Sequence, residues 1–247
     1  MPEFLYDAQT LWLMGAALAA GTVYGFAGFG AALVFMPVAV VFVDPLMAVA
    51  AFSVSALISL VTVVPSAWKQ AQKPAVGTML VASWVAAPFG LWVLANADVT
   101  VARWAVSVVV LVTLVALVAG WRYQSRPGRR TWSGVGLGVG FLGGSTGLNG
   151  PILVLFQLGG QDSVEQSRAN TACVLTLNSL GLMPLMALQG FLTSQAIWLG
   201  AVLLPLYGIG TLLGRALFRP QRVHLYRITA YTLIAAAGVA GLPIWTQ

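Results

Sequence analysis

Two glycine-rich stretches hold the residues best suited to chemistry in this chain. One is Gly21-Thr22-Val23-Tyr24-Gly25-Phe26-Ala27-Gly28-Phe29-Gly30. The other is Gly140-Phe141-Leu142-Gly143-Gly144-Ser145-Thr146-Gly147-Leu148-Asn149-Gly150-Pro151. Both interrupt apolar runs, and no Asp, Glu, Lys, Arg or His lies clearly at mid-run depth. A charge there costs about 2.5–3.5 kcal/mol on insertion scales. Its absence argues against a buried carboxylate proton relay and against a cation site built on Asp or Glu. What remains is neutral and polar: backbone N–H groups over Gly28 to Gly30 and Gly147 to Gly150, with Ser145, Thr146 and Asn149. A helix that starts inside a membrane presents unpaired N–H groups and about half a positive charge. Two such starts facing one cavity would hold an anion without any formal charge. Glycine lets a ligand reach the backbone, and Pro151 suits a first helical turn.

The two stretches are copies of one pattern. An offset of 119 residues pairs Gly21 with Gly140, Gly25 with Gly144 and Gly28 with Gly147. It then pairs Ser59 with Asn178 and Pro65 with Pro184. Ser59 and Asn178 lie mid-run, in spans next to the broken elements. They are placed either to tie helices together or to donate to substrate oxygens. The pairs Gly21/Gly25, Gly140/Gly144 and Gly210/Gly214 have the small-xxx-small spacing of close helix contacts, so packing is their reading.

The rest of the chain must position these stretches in a membrane. Of its 247 residues, 59% are hydrophobic and only 7% charged, with a mean hydropathy of +0.90. Soluble domains carry about 25% charged residues. The class is an all-α polytopic membrane protein, with the lipid bilayer as its surroundings. The net charge of +6 sits in loops between apolar runs and reads as a topology signal, not as a nucleic-acid surface. The one cysteine, Cys173, excludes an intrachain disulfide. Glu3 and Asp7 replace the basic start of a cleaved signal peptide. Gly138, Gly140 and Gly143 form a GxGxxG without the strand context of a dinucleotide site. No cofactor or metal is implied.

The apolar runs fall at 10–43, 46–67, 75–96, 99–120, 132–158, 169–190, 193–217 and 226–246. Six have the length of one helical span. Runs one and five are broken by the glycine stretches and read as pairs of shorter helices that turn at the glycines and leave on the side they entered. Charge supports this. With eight single crossings, the twelve Lys and Arg residues divide equally between the two faces. With runs one and five doubling back, eleven lie on the cytoplasmic face, and only Arg103 lies outside, at a span start where it can snorkel. Each half then makes five passes, so residues 1–124 and 125–247 form two inverted repeats, each a broken helix pair followed by three spans. Both termini lie outside the cytoplasm. This is a recurrent secondary-transporter design. Trp12, Trp68, Trp92, Trp104, Trp121, Trp132, Trp198 and Trp245 sit near run ends as an aromatic belt. Trp84 lies mid-run, as packing or as a pathway wall.

The two glycine stretches resemble the repeat motifs of the TauE/SafE family of membrane permeases. The first copy is Gly25 to Ala32, with its run reaching Pro37, and the second is Gly140 to Pro151. The resemblance covers nearly the whole chain. Ala31, Ala32 and Asn149 depart from it, since members often carry glycine there, and Asn149 adds a side chain where an anion would sit. The resemblance implies a secondary carrier, not an enzyme, that exports sulfite or organosulfonates, or takes up related anions, across the bacterial inner membrane. A coupling proton and a homo-oligomer stay open as partners. Gly28, Phe29, Gly30, Ser145, Thr146, Gly147, Leu148, Asn149, Gly150, Asn178 and Ser59 form the candidate substrate-binding set. A passive anion channel could use the same inverted elements. An intramembrane hydrolase would need Ser145 and His224, which this topology separates in depth.

Overall fold

The computed structural model describes residues 8–120, 128–159, 163–217 and 223–244. Glu3, Asp7, Trp121, Arg122, Arg126, Asp162, Arg219, Arg222 and Trp245 lie outside the described residues, as do the side chains of His224 and Arg227. The described chain is all helical. The helices of the first half are α1 (Ala8–Ala27), α2 (Ala31–Phe42), α3 (Pro45–Ala56), α4 (Ser59–Thr62), α5 (Val64–Ala67), α6 (Lys73–Asn96) and α7 (Val99–Val118). Those of the second are α8 (Arg129–Thr146), α9 (Gly150–Gly159), α10 (Val164–Leu188), α11 (Ser194–Leu217) and α12 (Val223–Ala240).

Both glycine stretches break their runs. Gly28 and Gly147 adopt φ of 80° and 74°, the left-handed region that stops a helix at low cost only for glycine. Each donates its N–H to the carbonyl four residues back, Tyr24 and Gly143, at 2.8 and 3.0 Å. The chain then folds back on itself. A Cβ on Gly138 would lie 2.6 Å from Ile152 Cδ1, so α9 runs alongside α8. Likewise a Cβ on Gly30 would lie 3.2 Å from Val23 Cγ1. The limbs are unequal, which corrects the picture of two short helices. Residues Gln9–Ala27 are long and apolar enough to cross a membrane alone. The returning limb α2 has 12 residues, about 18 Å.

Six helices among the described residues have the length and apolarity of a membrane span: Gln9–Ala27, Pro45–Thr62, Lys73–Asn96, Val99–Val118, Glu165–Leu188 and Ser194–Leu217. The set differs from the sequence expectation by gaining α1. In α12, Ile228–Ala240 is a shorter apolar helix. The run at 46–67 is also not one smooth helix. Leu57, Leu60 and Val61 bond to carbonyls only three residues back, a tighter winding around Ser59. Pro65, without an N–H, then sits in the first turn of α5. Its counterpart Pro184 lies inside an unbroken α10.

Starts and caps recur at the same spacing. The Asp44 carboxylate accepts from Leu46 N–H at 2.9 Å at the start of α3, and the Ser163 hydroxyl accepts from Gln166 N–H at 3.2 Å at the start of α10. Those caps are 119 residues apart, as are the starts of α2 and α9. The packing is reciprocal. Helix α1 lies against α11, and α8 lies against α6. At the first contact, a Cβ on Gly25 would fall 2.3 Å from Thr211 O and 3.0 Å from Gly214 Cα. At the second, a Cβ on Gly144 would fall 2.5 Å from Ala87 O and 3.0 Å from a Gly90 backbone atom. Lipid supplies no hydrophobic drive for helix pairing, so such backbone contact is what holds these helices. The small-xxx-small pairs therefore pack, as their spacing implied. Gly138, Gly140 and Gly143 lie within α8 and form no loop.

Candidate functional site

A cavity of about 30 Å³ lies where the two breaks meet. Gly30, Ala31, Ala32 and Leu33 bring the first turn of α2 to it, and Asn149 and Gly150 bring the start of α9. No side chain caps α2, whose N-cap is Gly30 at φ 91°. The first N–H groups of a helix have no partner within it. Two helix starts thus converge on one small space. The cavity fits a compact group of a few heavy atoms and has no room for an extended chain.

The remaining wall carries a few hydroxyl groups. Ser59, Thr176, Ser179, Tyr24 and Tyr207 line it, with Phe52, Ala56 and Leu175. Phe35 stacks on Phe52 at 5.1 Å, Phe52 meets Tyr207 edge-on at 6.0 Å, and Tyr207 lies 6.1 Å from Tyr24. This aromatic chain shapes the cavity and aims two phenols along it. The Tyr24 hydroxyl lies 3.0 Å from Thr176 Oγ1 and 3.3 Å from the Ala172 carbonyl, which joins α1 to α10. Ser59 is 1% exposed and beside the Tyr207 phenol on the wall, yet its Oγ makes no hydrogen bond of normal geometry.

From the sequence-derived set, Gly30, Ser59, Asn149 and Gly150 line this cavity. The others are placed around it. Gly28 has spent its N–H on Tyr24 and faces Arg168. Phe29 is half-buried against the core. Ser145 sits at the α6–α8 contact, where its N lies 2.9 Å from a Cβ placed on Gly90. The Thr146 hydroxyl is committed locally, donating to Leu142 O at 2.8 Å and accepting from Leu148 N–H at 3.3 Å. Gly147 abuts Met36, and the Leu148 side chain is fully buried. Asn178 stands one layer behind Asn149, both packed around Gly143. Its Oδ1 accepts from Ser83 Oγ at 2.7 Å, while its Nδ2 is buried without a partner.

Tyr24, Tyr207, Thr176 and Ser179 were not singled out from the sequence. A signal existed for the tyrosines. Both sit inside apolar runs, away from the ends where interfacial aromatics gather, and a phenol there needs a polar partner. Cys173 is buried and outside this lining. Trp84 is also outside it, and its indole edge fills the notch at Gly181. Arg103 does more than snorkel: its Nη2 donates to Val41 O at 3.1 Å, a cation at the end of α2. Among the described residues, no group of three or more His, Cys, Asp or Glu comes together.

These features define an integral membrane protein with a small cavity between two broken helices, its wall largely apolar with a few hydroxyl groups. The chain belongs to the TauE/SafE sulfite exporter family, whose model matches residues 13–240, nearly its whole length. The family is one of exporter-type transporters of sulfur anions. No curated protein and no solved structure matches the chain.

Proposed function

We propose that this protein is a secondary transporter that exports a small sulfur-containing anion, sulfite or the sulfonate head of an organosulfonate, across the bacterial inner membrane by alternating access. The observation that carries this reading is the convergence of the α2 and α9 starts on one cavity, with the Ser59 hydroxyl in its wall making no hydrogen bond of normal geometry. Helix N-termini favour anions without a formal charge. The cavity's size favours a compact oxyanion. The family points to the same substrate class.

Alternating access needs two arrangements of similar energy, which inverted repeats supply by exchanging conformations. We read residues 1–124 and 125–247 as such repeats. The shared 119-residue spacing of caps, breaks and helix starts supports this, as does the reciprocal pairing of α1 with α11 and of α8 with α6. The positive-inside bias supports termini on the periplasmic side. The test is flux in liposomes containing the purified protein, with labelled sulfite, thiosulfate, sulfoacetate and sulfate, each with and without a proton gradient. Saturable, gradient-sensitive flux of one sulfur anion is the expected result. No flux of any of them from folded protein would defeat the proposal.

A further inference from the structure

A second cavity, of about 240 Å³, adjoins the first and has a different character. Its wall carries Arg168 from α10 and Arg215 from α11, with Gln70 and Ser66 as neutral polar groups and Glu165 as the one acid among the described residues. Both cations are held from behind. Arg168 Nη2 donates to the Phe26 carbonyl at 3.1 Å, and Arg215 Nη1 donates to the Thr62 carbonyl. These bonds hold both guanidinium groups on one wall of the cavity. Gly28 clears their approach, since a Cβ there would lie 3.1 Å from Arg168 Nε. Two anchored guanidinium groups lining one cavity are a site for an oxyanion, which accepts several charge-assisted hydrogen bonds.

The partition between the two cavities is Tyr24. It is the residue that lines both, and it is 4% exposed. Its hydroxyl lies between Ala172, which lines the outer cavity, and Thr176, which lines the inner one.

We propose that Arg168 and Arg215 form a second oxyanion-binding site, from which the substrate reaches the inner cavity past Tyr24. The inference rests on the transport reading above for the identity of its ligand. Sulfite and related sulfur oxyanions are the class it takes.

The test does not depend on transport. Phenylglyoxal, which modifies arginine, is applied to the full chain in lipid nanodiscs, and each arginine is followed by peptide mass. Arg129 and Arg130, exposed on α8, are internal controls. Sulfoacetate, whose sulfonate does not add to the dicarbonyl reagent as sulfite would, is expected to slow modification of Arg215 and to leave Arg129 and Arg130 unchanged. Chloride at equal ionic strength is expected to have no such effect. In Arg168→Gln the half-protecting concentration rises about tenfold, and Arg168→Lys recovers part of the loss. Modification of Arg215 at the same rate with and without sulfoacetate overturns the proposal, as does protection by chloride equal to that by sulfoacetate. The unmodified chain decides this, so poor folding of a variant leaves the result intact. Flux without protection would remove this site and keep the transporter. Protection without flux would keep the site and remove the transporter.

Discussion

Ser59 Oγ and Asn178 Nδ2 are both buried, both lack a hydrogen-bond partner, and stand 119 residues apart in the chain. A buried unpaired donor costs about 1–3 kcal/mol. Paying that twice at matched positions beside two broken helices points to a partner that comes and goes. On the Ser59 side the cavity that would receive it is present.

Ser59→Ala should therefore separate function from stability. It removes an orphan hydroxyl, so the melting temperature should hold or rise slightly. Anion flux should fall, through a higher half-saturating concentration. Calorimetry and liposome flux on one preparation test both halves. A protein that loses stability while its flux is unchanged would show that Ser59 has a structural partner instead.

Asn149→Asp places a carboxylate on the cavity wall. Two like charges about 4 Å apart repel by roughly 4 kcal/mol at an effective dielectric constant of 20. That is about three powers of ten in affinity. Flux should fall below detection in protein that remains folded by gel filtration. Asn149→Gly, which removes the side chain and adds no charge, should keep transport. Unchanged flux in Asn149→Asp would take Asn149 out of the site.

Much of this was legible in the sequence because glycine carries positional meaning. The breaks at Gly28 and Gly147, the close pairs at Gly25 and Gly144, and the membrane class all follow from spacing and hydropathy. The cavity wall was less legible. Tyr24 meets Thr176 across 152 residues, and Ser83 meets Asn178 across 95, contacts that no local pattern encodes. A tyrosine in an apolar run also reads as hydrophobic bulk until its hydroxyl is placed. The tighter winding around Ser59 was hidden because an apolar run looks the same whether its helix is wound evenly or not.

Two glycine substitutions of the same kind should have opposite signs. A Cβ at Gly25 falls 2.3 Å from the Thr211 carbonyl, so Gly25→Ala pushes α1 off α11. Overpacking of that kind costs about 1–3 kcal/mol. Gly77 is exposed on α6 with nothing within 4 Å of an added Cβ. Gly77→Ala should gain about 0.5–1 kcal/mol from reduced backbone freedom. Melting temperatures in detergent, read side by side, test the pair. Equal shifts would mean the α1–α11 contact is looser than the geometry shows.

Topology can be checked with single cysteines, because Cys173 is fully buried and silent to a bulky reagent. Lys69 and Gln189 are both exposed, each past the C-terminal end of its span, and the proposed inverted topology puts them on opposite faces. A membrane-impermeant maleimide should label Gln189→Cys in intact cells and Lys69→Cys only after permeabilisation. The reverse pattern would invert the assignment of faces. It would also place the Arg168–Arg215 cavity, which shares its wall with Gln70, on the periplasmic side.

Tyr24→Phe removes one hydroxyl and keeps the ring against Tyr207, so the partition stays filled while its tether to Thr176 is lost. A buried hydrogen bond contributes about 1 kcal/mol net. If opening of this partition limits the rate, exchange should accelerate by up to about fivefold. The half-saturating concentration should change little, because the inner cavity keeps Ser59, Asn149 and both helix starts. Initial rates of counterflow over a range of anion concentrations separate rate from affinity. A higher half-saturating concentration with no gain in rate would make the Tyr24 hydroxyl a ligand of the inner cavity, not its partition. A gain in rate at constant half-saturation places the barrier between the two cavities at this one side chain.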